Sequence, residues 1–189
     1  MLINLKDERQ RKILKEIELS EIEIDLDNSS LDLFITTSKN LSLAINARLE
    51  KNSILNIHIA SNNISKNKEV NINTINKDSS SKVNIQYYAI VQSEGKEVVN
   101  AISHINKKAS KSEVIQNINM LLLDDASKGE GNPQLFIKNN DVIANHGASI
   151  SQVDENVLYF MMSRGIPKTE AKRLIVETFL NPVLKLIEE

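Results

Sequence analysis

The 189-residue chain contains no cysteine. Disulfides, thiolate metal ligands and a cysteine nucleophile are therefore excluded from this chain, which fits a reducing compartment. There is no tryptophan and only 4% of residues are aromatic. A core must be built mainly from Ile, Leu and Val, whose branched side chains suit a pleated surface. Glycine is scarce, with five in the chain and none before Gly95. Corners in the first half must then rest on Asn, which tolerates the left-handed backbone better than other residues with a side chain. The formal net charge of −2 supplies no global basic field for phosphate backbones, so nucleic acid is not an expected partner. No run approaches the roughly 20 apolar residues that span a bilayer. The opening stretch "MLINLKDERQRKILKEIEL" has no apolar core of a signal peptide. A cytoplasmic protein without membrane association is expected.

The length suits one domain with a small appendage. Residues 5–17, "LKDERQRKILKEI", place Leu5, Ile13, Leu14 and Ile17 toward one side of a short helix, so residues 1–19 are set apart as a short N-terminal helical segment. From Ile22 the period becomes two. "EIEIDLD", "SLDLFIT", "LSLAINARL", "SILNIHIAS", "EVNINTI" and "KVNIQYYAIV" alternate apolar with polar residues, as half-buried strands do. Apolar centres near Phe34, Ile45, Ile57, Ile72 and Ile85 recur every 11 to 15 residues, with Asn, Ser, Lys and Asp clusters between them. Either an antiparallel sandwich or a solenoid of parallel strands gives this pattern. "SKGEGNP" (127–133) reads as the clearest loop, with two Gly and a Pro.

After Ser151 the period turns helical. Val153, Val157, Leu158, Met161 and Met162 make an apolar stripe, and Ser151 with Asp154 resembles a capping box. Gly165 stops that helix and Pro167 starts the next, in which Ala171, Leu174, Ile175, Phe179 and Leu184 share one side. Pro182 should kink or divide this second helix. The reading is a mainly β body over 20–151 and a two-helix segment over 152–189.

"LLLDDA" (121–126), "PQLFI" (133–137), "HGAS" (146–149), "SRGIP" (163–167) and "EAKRLIVETF" (170–179) carry a resemblance in order and spacing. The chain resembles the SufB/SufD family of iron–sulfur cluster assembly scaffold proteins, and is more similar to SufD. SufB-type chains usually have an acid where this chain has Gly147, and they supply a cysteine. Ala144 stands where SufD sequences often have cysteine. The resemblance implies a right-handed parallel β-helix followed by helices, and a non-catalytic scaffold subunit. It would pair with a SufB-like subunit through the β-helix and dock a SufC-like ABC ATPase through the C-terminal helices. ATP hydrolysis would belong to the ATPase. No stably bound cofactor is expected, only a transient iron–sulfur cluster shared with a partner.

On the same resemblance His146 is the candidate cluster and interface residue, with its imidazole as a metal ligand alongside thiolates from the partner. The plainer alternative is that His146 hydrogen-bonds the local backbone. Ser163, Arg164, Gly165, Ile166, Pro167, Glu170 and Arg173 are the candidate ATPase-docking positions. Asp124 and Asp125 read as a solvated corner, and His58 and His104 as structural. "SKGEGNP" lacks the Lys-Ser/Thr of a phosphate-binding loop, and no motif of a hydrolase, metalloprotease or dinucleotide site occurs. Two other readings stand beside the scaffold: a degenerate β-helix homodimer without cluster chemistry, and a stand-alone carbohydrate-binding β-helix. The latter would have "YY" (87–88) as its only tight aromatic pair.

Overall fold

A computed structural model describes residues 1–188. The chain winds through six coils, each made of two strands: β1 (Leu2–Lys6) and β2 (Arg9–Lys15); β3 (Glu21–Asp27) and β4 (Ser30–Thr37); β5 (Leu41–Leu49) and β6 (Ile54–Ile64); β7 (Asn67–Asn76) and β8 (Lys82–Gln92); β9 (Lys96–Ile105) and β10 (Ser112–Leu122); β11 (Lys128–Ile137) and β12 (Val142–Gln152). Two helices follow, α1 (Glu155–Ser163) and α2 (Lys168–Glu188). Odd strands form one six-stranded sheet and even strands the other, each in simple coil order. Every pair is parallel, so the sandwich with antiparallel hairpins is excluded and the body is a parallel β-helix.

The register explains the sequence period. Ile13 aligns with Phe34, Phe34 with His58, His58 with Gln86, Gln86 with Asn117 and Asn117 with Gly147, so successive coils span 21, 24, 28, 31 and 30 residues. The spacing of 11 to 15 between apolar centres is half a coil. Stacking puts like positions on top of one another, and inward residues form columns such as Leu33, Ile57 and Ile85, all fully buried. Outward residues form their own ladders: Asn132 donates to Asn100 and Asn100 to Asn71 at 3.0 and 2.8 Å.

One corner of the helix repeats a short device. Asp7, Asn28, Asn52, Ser80 and Lys111 all adopt positive φ, and their backbone N–H groups donate to the next coil. Serines follow four of them, and Ser29, Ser53, Ser81 and Ser112 are all buried. Ser53 Oγ donates to the Leu26 carbonyl, and the hydroxyls of Ser81 and Ser112 lie 3.0 Å apart. Asn therefore makes two of these corners, as its tolerance of this conformation predicts, while Asp, Ser and Lys serve at the others.

Three sequence expectations change. Residues 5–17 are not helical and 1–19 is not a separate segment, because β1 and β2 already form the first coil. Ile3 and Leu5 are buried under the second coil, and strand pairing to β3 and β4 overrides a weak helical pattern rich in charge. "SKGEGNP" is not a loop: Lys128 to Pro133 lie in β11. Its glycines face the interior, where a Cβ on Gly131 would meet Ile118 Cγ2 at 3.1 Å and one on Gly129 would meet Met120 Sδ at 3.0 Å. They serve a close approach of the two sheets rather than a turn. Pro133 is tolerated because β11 is an edge strand.

In the helical segment Asp154, not Ser151, is the N-cap, and its carboxylate accepts from the Asn156 N–H. Gly165, at φ +85°, ends α1 as anticipated: its N–H donates to the Met162 carbonyl and that of Ile166 to Met161. Pro182 does not divide α2, which is one 21-residue helix. Leu180 and Val183, buried on either side of Pro182, hold both halves against the second sheet with Ala60 and Ile90.

Candidate functional site at the open end

The C-terminal end of the β-helix is an open end, as is the end formed by β1 and β2. β11 and β12 are each the edge of their sheet, and no further coil covers their inward residues. Ala144, His146, Ala148 and Ile150 align with Val114, Gln116, Ile118 and Met120 of β10, all four of which are buried. In-register parallel neighbours share a face, so these β12 residues point into the lumen. His146 sits in the middle of this row, with the Gly129, Gly131 and Leu135 positions of β11 opposite. It is solvent-exposed because the rung above it is missing. Around it Phe136, Ile137 and Ile143 are 47%, 48% and 58% exposed.

Ala144, two residues before His146 on the same face, offers no donor. Among the described residues no group of three or more His, Asp or Glu comes together to hold a metal ion. His146 makes no hydrogen bond to the local backbone among the described residues, and sits in mid-strand rather than in a turn.

The lumen below holds several polar side chains among its aliphatic ones. The carboxylate of Glu97, fully buried, accepts from Tyr87 Oη at 2.5 Å. Burial and the neighbouring Glu97 charge push the Tyr87 phenol well above its ordinary value. Lys68, aligned with Glu97, donates to the Thr37 carbonyl and Ser61 Oγ at 2.9 Å each. Burial lowers its pKa, against the pull of Glu97 and Glu16. Thr74, Ser103 and Gln116 form a second chain of buried hydrogen bonds. Sequence reasoning missed these residues, although the polar side chains at inward positions of alternating strands were visible as a signal.

The helices carry the second candidate surface. α2 runs across the outer face of the even-strand sheet, and Arg11 donates to the Leu186 carbonyl near its end while stacking on Phe34. α1 packs on α2 and buries Leu158, but leaves Val157, Tyr159, Phe160 and Met162 exposed, the aromatic pair at 66% and 61%. Of the expected stripe, Leu158 is buried and Val153 and Met161 are half-buried, while Val157 and Met162 are exposed. A groove of about 350 Å³ between the helices is lined by Leu121, Val157, Met161, Leu174, Ile175 and Phe179. Ser163, Arg164, Gly165 and Pro167 lie exposed at the turn beside it, with Ile166 half-buried. Arg164 covers the Phe160 ring, and Arg173 pairs with Glu170 at 2.6 Å and with Glu177. The Arg173 hydrogen bond holds the Glu170 carboxyl below its ordinary range. The seven predicted docking positions thus gather at one end of the helical segment, about its turn.

Other expectations resolve locally. Asp124 is a corner staple: Oδ2 accepts from the Ser93 N–H, and Oδ1 from the N–H and hydroxyl of Ser127. Burial pushes its pKa up, but these hydrogen bonds outweigh it and hold the carboxyl low. His58 stacks on Phe34 and His104 on Phe136, both on outer ladders. The "YY" pair is split between faces: Tyr87 is buried in the lumen and Tyr88 packs edge-on against Phe179.

Residues 34–179 match the family model described as SUF system FeS cluster assembly, SufBD core domain. The chain belongs to this family. It is 40% identical over 97 residues to the iron–sulfur cluster assembly protein SufD of Bacillus subtilis, covering 51% of this chain and 22% of that protein. A SufBD-family iron–sulfur cluster assembly protein of Mycobacterium bovis is 31% identical over 102 residues, covering 54% of this chain and 12% of the relative. One from Staphylococcus saprophyticus is 34% identical over 91 residues, covering 48% and 20%. The matched region is therefore a small part of each curated relative. No helix among the described residues is long and apolar enough to cross a membrane.

Proposed function

We propose that this chain is a SufD-like scaffold that pairs with a SufB-like subunit through the open end of the β-helix. The observation that carries this reading is the uncapped last coil, where two edge strands and a row of inward residues lack a covering layer. Unpaired strand edges are templates for added strands. A partner presenting its own terminal coil would cover Ile137, Ile143 and Ile150 and bring its side chains over His146. His146 then contributes one imidazole to a transient cluster whose thiolates come from the partner, consistent with the absence of cysteine here. The chain performs no turnover of its own in this reading.

The helical turn Ser163–Pro167, with Glu170 and Arg173, would receive a SufC-like ABC ATPase. Its support is the exposed aromatic pair beside an apolar groove, since aromatic and Arg side chains dominate recognition surfaces. Co-expression of this chain with SufB-like and SufC-like subunits tests both contacts. A three-component assembly by native mass measurement is expected, and a stable lone homodimer would favour the degenerate reading instead. His146→Ala should preserve that assembly and reduce the iron–sulfur absorbance it acquires. Unchanged absorbance would remove the ligand role. The Tyr87–Tyr88 pair gives a carbohydrate-binding role no platform, because the two rings face opposite ways.

A further inference from the structure

Gln116 occupies the rung directly beneath His146 and is fully buried. Its Nε2 donates to Ser103 Oγ at 2.7 Å and to the Gln134 carbonyl at 3.4 Å. A carbonyl only accepts, so this second bond fixes which end of the amide is nitrogen. Ser103 Oγ in turn lies 2.6 Å from Thr74 Oγ1, which anchors the amide to the odd-strand sheet across the lumen. Gln116 Oε1 is then a buried acceptor with no partner. Such groups are rare and call for a donor. The rungs below and above Gln116 in its column are Ile85 and His146, and only His146 carries one. His146 has no hydrogen bond of its own among the described residues, and strands in register stand about 4.8 Å apart.

We propose that Gln116 is a positioning residue for His146: its Oε1 accepts one imidazole N–H and presents the other ring nitrogen, as a lone pair, out of the open end. The inference rests on the reading of His146 as a ligand completed by a partner, and adds what orients it. An imidazole that ligates a cation needs its second nitrogen held as a donor, which fixes both tautomer and ring orientation. The chain of Thr74, Ser103 and Gln116 makes that support part of the rigid lumen rather than of the exposed edge strand.

The full chain labelled with 15N-histidine has three imidazoles, and two-bond proton–nitrogen correlation above the imidazole titration reports the tautomer of each. His146 is expected in one neutral tautomer. Gln116→Leu should return it to a mixture, and Gln116→Glu, which keeps an acceptor there, should retain the single form. His58 and His104, stacked on Phe34 and Phe136, report whether each variant is folded. Gln116→Met replaces the leucine variant if that one does not fold. A tautomer mixture in the parent chain, or a single tautomer that survives loss of the acceptor, overturns the proposal. These measurements need no partner, so their failure leaves the ligand role standing. Conversely, a cluster yield indifferent to His146→Ala removes the ligand role without touching the hydrogen bond.

Discussion

The second coil and the last coil share one backbone plan and fill it in opposite ways. In the second coil Ile22, Ile24, Leu26, Leu31, Leu33 and Ile35 all point inward and none is more than 1% exposed. In the last, the inward positions are Gly129, Gly131, Pro133 and Leu135 against Ala144, His146, Ala148 and Ile150. Between them the lumen turns gradually polar, through Lys68, Glu97, Ser103 and Gln116. Stacked coils contact only their neighbours, so stability can be stored at one end while the other is left unfinished. An aliphatic layer of this kind would seal the lumen. Small and polar residues leave it open at the last coil.

The largest contrast should come from truncating equivalent inward side chains. Ile24→Ala in the dry layer is expected to cost about 2–5 kcal/mol in urea unfolding, as buried Ile→Ala changes do. Ile150→Ala at the open end should cost less than about 1 kcal/mol, because its side chain is 39% exposed. Equal costs would mean that the last coil is packed like the rest.

An added charge at the rim should act the other way, on assembly more than on folding. Ile143→Lys, at a position 58% exposed, should leave the unfolding midpoint near that of the parent chain. Its affinity for a SufB-like partner should fall by roughly tenfold or more, because pairing would desolvate an unmatched ammonium. Titration by light scattering or native mass measurement reads this, and undiminished pairing would place the interface elsewhere.

The polar middle layers should be visible in the alkaline pH profile. The folded chain keeps the Tyr87 proton where the unfolded chain has lost it, so stability falls as pH climbs past the ordinary phenol range. Lys68 works in the opposite sense. Its lowered folded value means that the unfolded chain binds more protons just below the ordinary lysine range, so stability there rises with pH. Tyr87→Phe should remove the fall and Lys68→Met the rise. Unfolding midpoints from pH 8 to 11, an interval set by roughly the ordinary Tyr and Lys values, would show parallel curves if neither group is linked.

The smallest effects belong to the outer ladders and the helical turn. Asn100→Ala should shift stability by only about 0.2–1 kcal/mol, the range of single cross-strand pairs. Arg173→Ala, with its two exposed ion pairs, should leave the unfolding midpoint unchanged while weakening capture of a SufC-like ATPase. A binding assay that does not distinguish Arg173→Ala from the parent chain would remove this residue from the docking surface.

Much of the body was legible in period-two alternation and in the spacing between apolar centres. That spacing did not reveal that two strands make one coil, because the coil changes length from level to level and leaves no residue-level repeat. The error at residues 5–17 has the same source. Charged residues at i and i+1 with apolar ones at helical spacing look helical, whereas pairing with β3 and β4 decides in favour of strands. The glycines of "SKGEGNP" misled because composition marks a turn and a close sheet approach with the same letters. His146 was identified by motif resemblance, yet its place on the inward face beside Gln116 needed the register of β12.

By itself the sequence determined a β body made of Ile, Leu and Val, a helical tail stopped by Gly165, and a site that cannot provide a thiolate. Those properties are local or compositional, set by side-chain shape, period and inventory. The tertiary structure alone decided that the strands pair in parallel, that His146 looks into the lumen, and that Gln116 lies under it with a free acceptor. Parallel stacking joins residues about 30 positions apart, as Asn117 and Gly147 are, and no short-range pattern encodes which rung rests on which.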